Sequence, residues 1–183
     1  MMHNFELTVE VIEEAGYKPA MIGLSFNKDQ PFSRMPNVAK ILANKDLGHN
    51  KFLEQIYLWL EVRAPRYWWQ EADTFRLSSK SSQSTMHTIL NNELSKKNFE
   101  CGLIRASYLK GLNAEIGKGN LVELKRFLPE GFMQKRMWCM SYKTLRNIIL
   151  QRRNHKLPHW NKFIKDVLHQ VKRPELLPKG DSK

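Results

Sequence analysis

Apolar and polar residues alternate along Phe5–Ile12 (FELTVEVI), and a period of two predicts a strand with one buried face. Gly16 ends that pattern. The spacing then lengthens. Over Met35–Asn44, Val38, Ile41 and Leu42 share one face of a short helix. Ile56–Val62 is aromatic and aliphatic and predicts a second strand. Pro65 suits the first turn of a following helix, because the N–H it lacks would be unpaired there anyway. Leu77–Thr88 is rich in Ser and Thr and predicts a loop or helix entry. Leu103–Ile116 predicts a helix closed by Gly117 and Gly119. Asn120 caps a shorter one through Phe127, which Leu128-Pro129 stops. Thr144–Arg153 predicts another helix. Beyond it Leu157, Trp160, Phe163, Ile164, Val167, Leu168 and Val171 form a single helical stripe. Strands and helices without a strict βαβ rhythm predict an α+β fold, an antiparallel sheet with packed helices.

The 183 residues fit one domain, expected over residues 1–173, followed by a flexible basic tail over 174–183. No apolar run is long enough to span a membrane, and the opening does not read as a signal peptide. Cys101 and Cys139 form neither a metal-ligand spacing nor a disulfide framework, so no metal and a reduced, cytoplasmic setting are expected. Charge changes the picture more. The net charge is +12, and residues 122–183 hold 15 Lys and Arg against 5 Asp and Glu. That imbalance predicts an anionic partner: a nucleotide, a phosphate-bearing cofactor or a nucleic acid. A solvated basic surface is the plainer alternative.

The candidate chemistry concentrates between Gly48 and His87. Gly48-His49 precedes Phe52, Leu53 and Glu54; an aromatic strand runs into Ala64-Pro65; Arg76 follows, then Ser79 and Ser84 in a hydroxyl-rich run. This order resembles the flavin-dependent thymidylate synthases, whose motif reads RHRxxSxNExSxRY. Here the region reads TFRLSSKSSQSTMH. Arg76, Ser79 and Ser84 agree with the motif. Thr74 and Phe75 stand for its first Arg and its His, Ser81 and Ser82 for Asn-Glu, Met86 and His87 for Arg-Tyr. Glu71 occupies the place of a substrate-binding Gln. Further on, Leu128-Pro129, an aromatic strand and a helix ending at Arg152 keep the family's order, and Lys135 falls near a phosphate-binding Arg. Asn161 lies near a later Arg that contacts the pyrimidine. The resemblance covers residues 5 to 172.

The resemblance implies a homotetramer with active sites shared between subunits. It also implies FAD as cofactor, with NADPH and methylene-tetrahydrofolate as co-substrates and a pyrimidine deoxynucleotide as the acceptor of a one-carbon group. It assigns His49, Glu54, Arg76 and Arg152 to the cofactor, and Glu71, Ser79, Ser84 and Lys135 to the nucleotide. It assigns no protein nucleophile. The departures have physical weight. Met86 has no fork for a phosphate. A carboxylate at Glu71 only accepts, where Gln also donates. Three functions stay open: a flavin enzyme acting on a pyrimidine deoxynucleotide, a nucleotide-binding relative without flavin, and a basic module binding nucleic acid or protein. For individual residues the plainer readings are capping for the Ser run, core packing for Trp68 and Trp69, and a charged helix face for Lys135, Arg152 and Arg153.

Overall fold

The computed structural model describes residues 5–46 and 48–180. Four strands, Thr8–Ala15 (β1), Tyr57–Pro65 (β2), Ser78–Ser82 (β3) and Met133–Ser141 (β4), make one antiparallel sheet in the order β1–β2–β4–β3. Eight α-helices accompany it among the described residues: Tyr17–Lys28 (α1), Met35–Ala43 (α2), Arg66–Ala72 (α3), Thr85–Thr88 (α4), Ala106–Gly117 (α5), Leu121–Phe127 (α6), Tyr142–Arg152 (α7) and Pro158–Gln170 (α8). The α+β architecture is the one the sequence predicts.

The sheet is two-faced because β2 alternates strictly. Leu58, Leu60, Val62 and Ala64 are fully buried, while Tyr57, Trp59, Glu61 and Arg63 turn to the other side. In β4, Trp138 and Met140 pair with Leu60 and Leu58 and continue the buried face. Helices α3, α7 and α8 supply the layer against it. Trp68, Trp69, Trp138, Trp160 and Phe163 meet there in tilted and edge-on contacts, with Trp68 and Trp160 centroids 4.6 Å apart. Trp68 and Trp69 are therefore core residues, and neither ring offers a face for a ligand to stack on. A second apolar cluster, including Ile89, Leu94, Phe99, Leu112, Leu124, Leu128 and Phe132, fills the space among α4, α5 and α6.

Several boundaries move for identifiable reasons. The first strand runs from Thr8 to Ala15, later than the Phe5–Ile12 pattern, because a bulge between Val11 and Glu13 shifts its register and leaves Ile12 exposed. In α2 the buried face is Met35, Ala39, Leu42 and Ala43, and Ile41 points to solvent. Pro65 closes β2 and caps α3 instead of opening it. Ser78–Ser82 is an edge strand where a loop was predicted. Gly16 sits at φ +92°, and a Cβ there would lie 2.0 Å from the Gln55 carbonyl oxygen, so only glycine fits between β1 and α1. Beyond Pro174 the chain turns back onto the core: Leu176 and Leu177 are buried, so at least these two residues do not fray. No described helix is long and apolar enough to cross a membrane.

Candidate functional site

The eight candidate residues fall into separate places. Glu71 and Arg152 come together. Glu71 ends α3 on the side facing α8, and its Oε2 accepts a hydrogen bond from Trp160 Nε1 at 2.8 Å. His155 Nε2 lies 3.5 Å from the same oxygen. Glu71 Oε1 has no hydrogen-bond partner among the described residues. Arg152, at the last turn of α7, lays its guanidinium 5.2 Å over the Trp160 ring and 5.4 Å over that of Phe75. Its Nε is buried without a hydrogen-bond partner. Phe75 thus carries the role of its aromatic ring here: it floors a cation. Arg76, the next residue, is exposed and forms no ion pair among the described residues.

Ser79 and Lys135 share the outer face of the sheet. Ser79 is the register partner of Cys139, and Lys135 pairs with Glu61 at 2.8 Å. Cys139 lies four residue steps along β4 from Lys135, roughly 13 Å at strand rise. Burial pushes the Cys139 thiol up, and a hydrogen bond with Ser79 pulls the other way. Ser84 is a helix cap: it precedes α4 and accepts the His87 backbone N–H at 3.3 Å. That is the local role its residue type predicts. His49 is exposed at the rim of a cavity of about 380 Å³ whose lining includes Gly23, Leu24, Lys51 and Gln55. Glu54 is exposed on the same short turn. Gly48 there has open space around it and a φ of +84°, so it serves the turn and not a close approach. Asn50 Oδ1, hydrogen-bonded by Lys143, ties this turn to the start of α7.

Two clusters had no local signal in the sequence. In the first, Arg136 Nη1 lies 3.0 Å from both Asp73 carboxylate oxygens and its guanidinium stacks 4.4 Å over Trp69. Lys80 stands 3.6 Å from Asp73 and 4.8 Å over Trp138. Burial lowers the Lys80 pKa, opposed by Asp73 and assisted by Arg136. In the second, Tyr67 Oη donates to Glu100 Oε2 at 2.8 Å, and His159 Nε2 lies 2.6 Å from Glu100 Oε1 and 3.1 Å from Tyr67 Oη. Burial, then Glu100, raise the Tyr67 pKa. Apart from Lys80 and Asp73, seven residues apart, the polar pairs in both clusters join positions 33 to 92 residues apart. Among the described residues no group of three or more His, Cys, Asp or Glu is placed to hold a metal.

The whole-chain geometry has close counterparts. The crystal structure of thymidylate synthase X (ThyX) from Helicobacter pylori with FAD and dUMP superposes with a TM-score of 0.81 over 96% of this chain and 99% of that one, at 15% identity. A second structure of the flavin-dependent ThyX from the same organism, complexed with FAD and dUMP, gives 0.81 over 92% and 97%, at 16% identity. The fold is the ThyX fold. No protein-family model matches the sequence, and no curated protein matches it. The likeness runs over nearly the whole length of each chain. At 15% identity the side chains are another matter, and the cluster around Arg152 must be read on its own chemistry.

Proposed function

We propose that this chain is a divergent flavin-dependent thymidylate-synthase-like protein that binds a pyrimidine deoxynucleotide and FAD. Methylene-tetrahydrofolate and NADPH would be its co-substrates in one-carbon transfer. The observation that carries the reading is end-to-end likeness to two ThyX structures described with FAD and dUMP. The donor set here suits an anionic dinucleotide. Arg152 Nε is a buried donor without a partner, a state that costs about 1–3 kcal/mol and that a ligand acceptor would relieve. Arg76, which follows Phe75 in the chain, is exposed and forms no ion pair among the described residues. His49 can donate from the rim of its cavity, with Glu54 nearby on the same turn. When bound, a flavin would supply the hydride for the transfer. The protein's part is to hold and orient: Arg152 and Arg76 by charge, Lys135 and Ser79 from the outer sheet face, Ser84 by fixing the entry of α4.

Substrate preference follows from Glu71 and Met86. Glu71 Oε2 is committed to Trp160, which leaves Oε1 as a free acceptor. An acceptor favours the amino group of cytosine over the carbonyl of uracil at that edge. Met86 stands where the family has a phosphate-binding Arg, and it is exposed and uncharged. dUMP should therefore bind weakly and little dTMP should form. The test incubates the protein with FAD, NADPH, methylene-tetrahydrofolate and dUMP, then dCMP, and follows flavin absorbance, dTMP from dUMP and 5-methyl-dCMP from dCMP. A yellow protein with poor dUMP turnover is the expected result; robust dTMP synthesis would overturn the substrate reading, and a colourless protein that FAD does not stabilise would overturn the cofactor reading. The second outcome would favour a catalytically inactive module binding nucleotide, nucleic acid or protein, a reading supported by the basic C-terminal third and the exchanged motif residues.

A further inference from the structure

A groove of about 720 Å³ lies between the outer face of α8 and residues 174–180, which fold back across it. Three cations from three places line it: Arg153 after α7, Lys165 on α8, and Lys179 on the returning segment. His169 stands one helical turn beyond Lys165 on the same face. Among the described residues no Asp or Glu lines the groove, and none of the three cations forms an ion pair. Elsewhere cations of these same elements do pair, Lys162 with Asp166 and Arg146 with Asp46. The floor is aliphatic: Ile164 and Leu177 are buried and Leu168 is partly buried. Gly180 lets the returning segment lie directly on α8, since a Cβ there would stand 3.0 Å from Ile164 Cγ2 and 3.2 Å from Leu168 Cδ1.

We propose that this groove binds a phosphate monoester carrying a saturated, aliphatic body; Asn161 lines it, but Glu71, Arg76 and Arg152 do not. Three unpaired cations match a dianion better than a single carboxylate, and Arg153 offers the fork that phosphate oxygens fit. The body is aliphatic because the floor under the cations is Ile164, Leu168 and Leu177, and His169 is the one ring in the lining among the described residues. The size lies within the range of small-molecule sites. The inference does not depend on flavin or on the nucleotide reading.

Calorimetry on the full chain at low salt, with inorganic phosphate, methyl phosphate and butyl phosphate, tests it. One-to-one binding is expected, tightening about fourfold for each methylene the floor buries. Lys165→Ala and Arg153→Ala should each weaken butyl phosphate roughly tenfold or more, and Lys165→Arg should restore most of the loss. Arg76→Ala should leave it unchanged; a loss there instead would place the ester at the cofactor site and overturn the groove. So would an affinity indifferent to chain length, no saturable binding, or equal affinity in the two alanine variants and the parent. Flotation with phosphatidylcholine vesicles containing phosphatidic acid separates a soluble ester from a lipid headgroup: binding to vesicles without binding to butyl phosphate overturns the proposal.

Discussion

Arg152 and Glu71 show how a residue's role depends on what it already touches. Arg152 is held between two rings and Glu71 is held by an indole N–H, so neither is a free surface charge. Arg76 is the free one, and it is the last of the family's three motif residues at that place to survive. Arg76→Ala should cost about 1.5–3 kcal/mol of ligand binding, one to two decades in affinity; unchanged FAD and nucleotide affinities would show it to be an ordinary surface arginine. Glu71→Gln should behave differently. The amide oxygen still accepts from Trp160, but a charge-assisted bond becomes a neutral one, so a loss of about 1 kcal/mol in urea unfolding is expected. No measurable loss would mean that the Trp160 bond contributes little in solution. At this scale the sequence named both residues but not their partners. Trp160 was legible as one apolar position in a stripe, and nothing in that stripe says that its N–H meets a carboxylate 89 residues away.

Elements were legible where one face is buried and illegible where backbone pairing does the work. The α8 stripe is what the spacing predicts, with Trp160, Phe163, Ile164 and Val167 buried. Asn120 caps α6 by accepting the Glu123 N–H, as its residue type suggests. By contrast β3 is SSKSS, with no apolar residue to reveal a face; its hydrogen bonds to β4 alone make it a strand. Helix α1 was missed because Pro19 and Gly23 mask it, although Pro19 lies in the first turn, where it is tolerated. The joint that sets α1 against the 51–55 turn is Gly16, and it gives the sharpest test at this scale. Gly16→Ala places a methyl 2.0 Å from the Gln55 carbonyl at a φ that alanine rarely adopts. A loss of about 2 kcal/mol or more is expected from strain and displacement together, read as a lower urea midpoint with an unchanged slope. A loss under 0.5 kcal/mol would mean that the β1–α1 joint gives way freely.

Over the whole molecule, the fold class could be inferred from the mixed rhythm and the family resemblance, whereas the distribution of surface could not. The outer sheet face carries Tyr57, Trp59, Met137 and Cys139, with Tyr57 44% exposed and the others half-buried. Around the second apolar cluster, Leu103, Val122 and Phe127 are exposed by 56% or more. A chain of this size has helices enough to cover one face of its sheet, and here the layer of α3, α7 and α8 lies on the face opposite Trp59. Large apolar side chains left outside on a sheet face are a common mark of a surface that meets another protein surface. The partner that requires no further assumption is a second copy, because a symmetric pair buries the same patch twice. We therefore expect multi-angle light scattering at micromolar concentration to give a mass above 21.6 kDa, the tetramer being the state the resemblance implies. Trp59→Glu should lower that mass, because a carboxylate at the centre of the patch would have to be desolvated in the assembly. It should also cost the monomer about 1 kcal/mol, since Trp59 is half-buried there and a carboxylate would stand opposite Glu13 in the register. A parent protein that runs as a monomer under these conditions would exclude active sites shared between subunits, and the one-carbon chemistry that depends on them would fall with it.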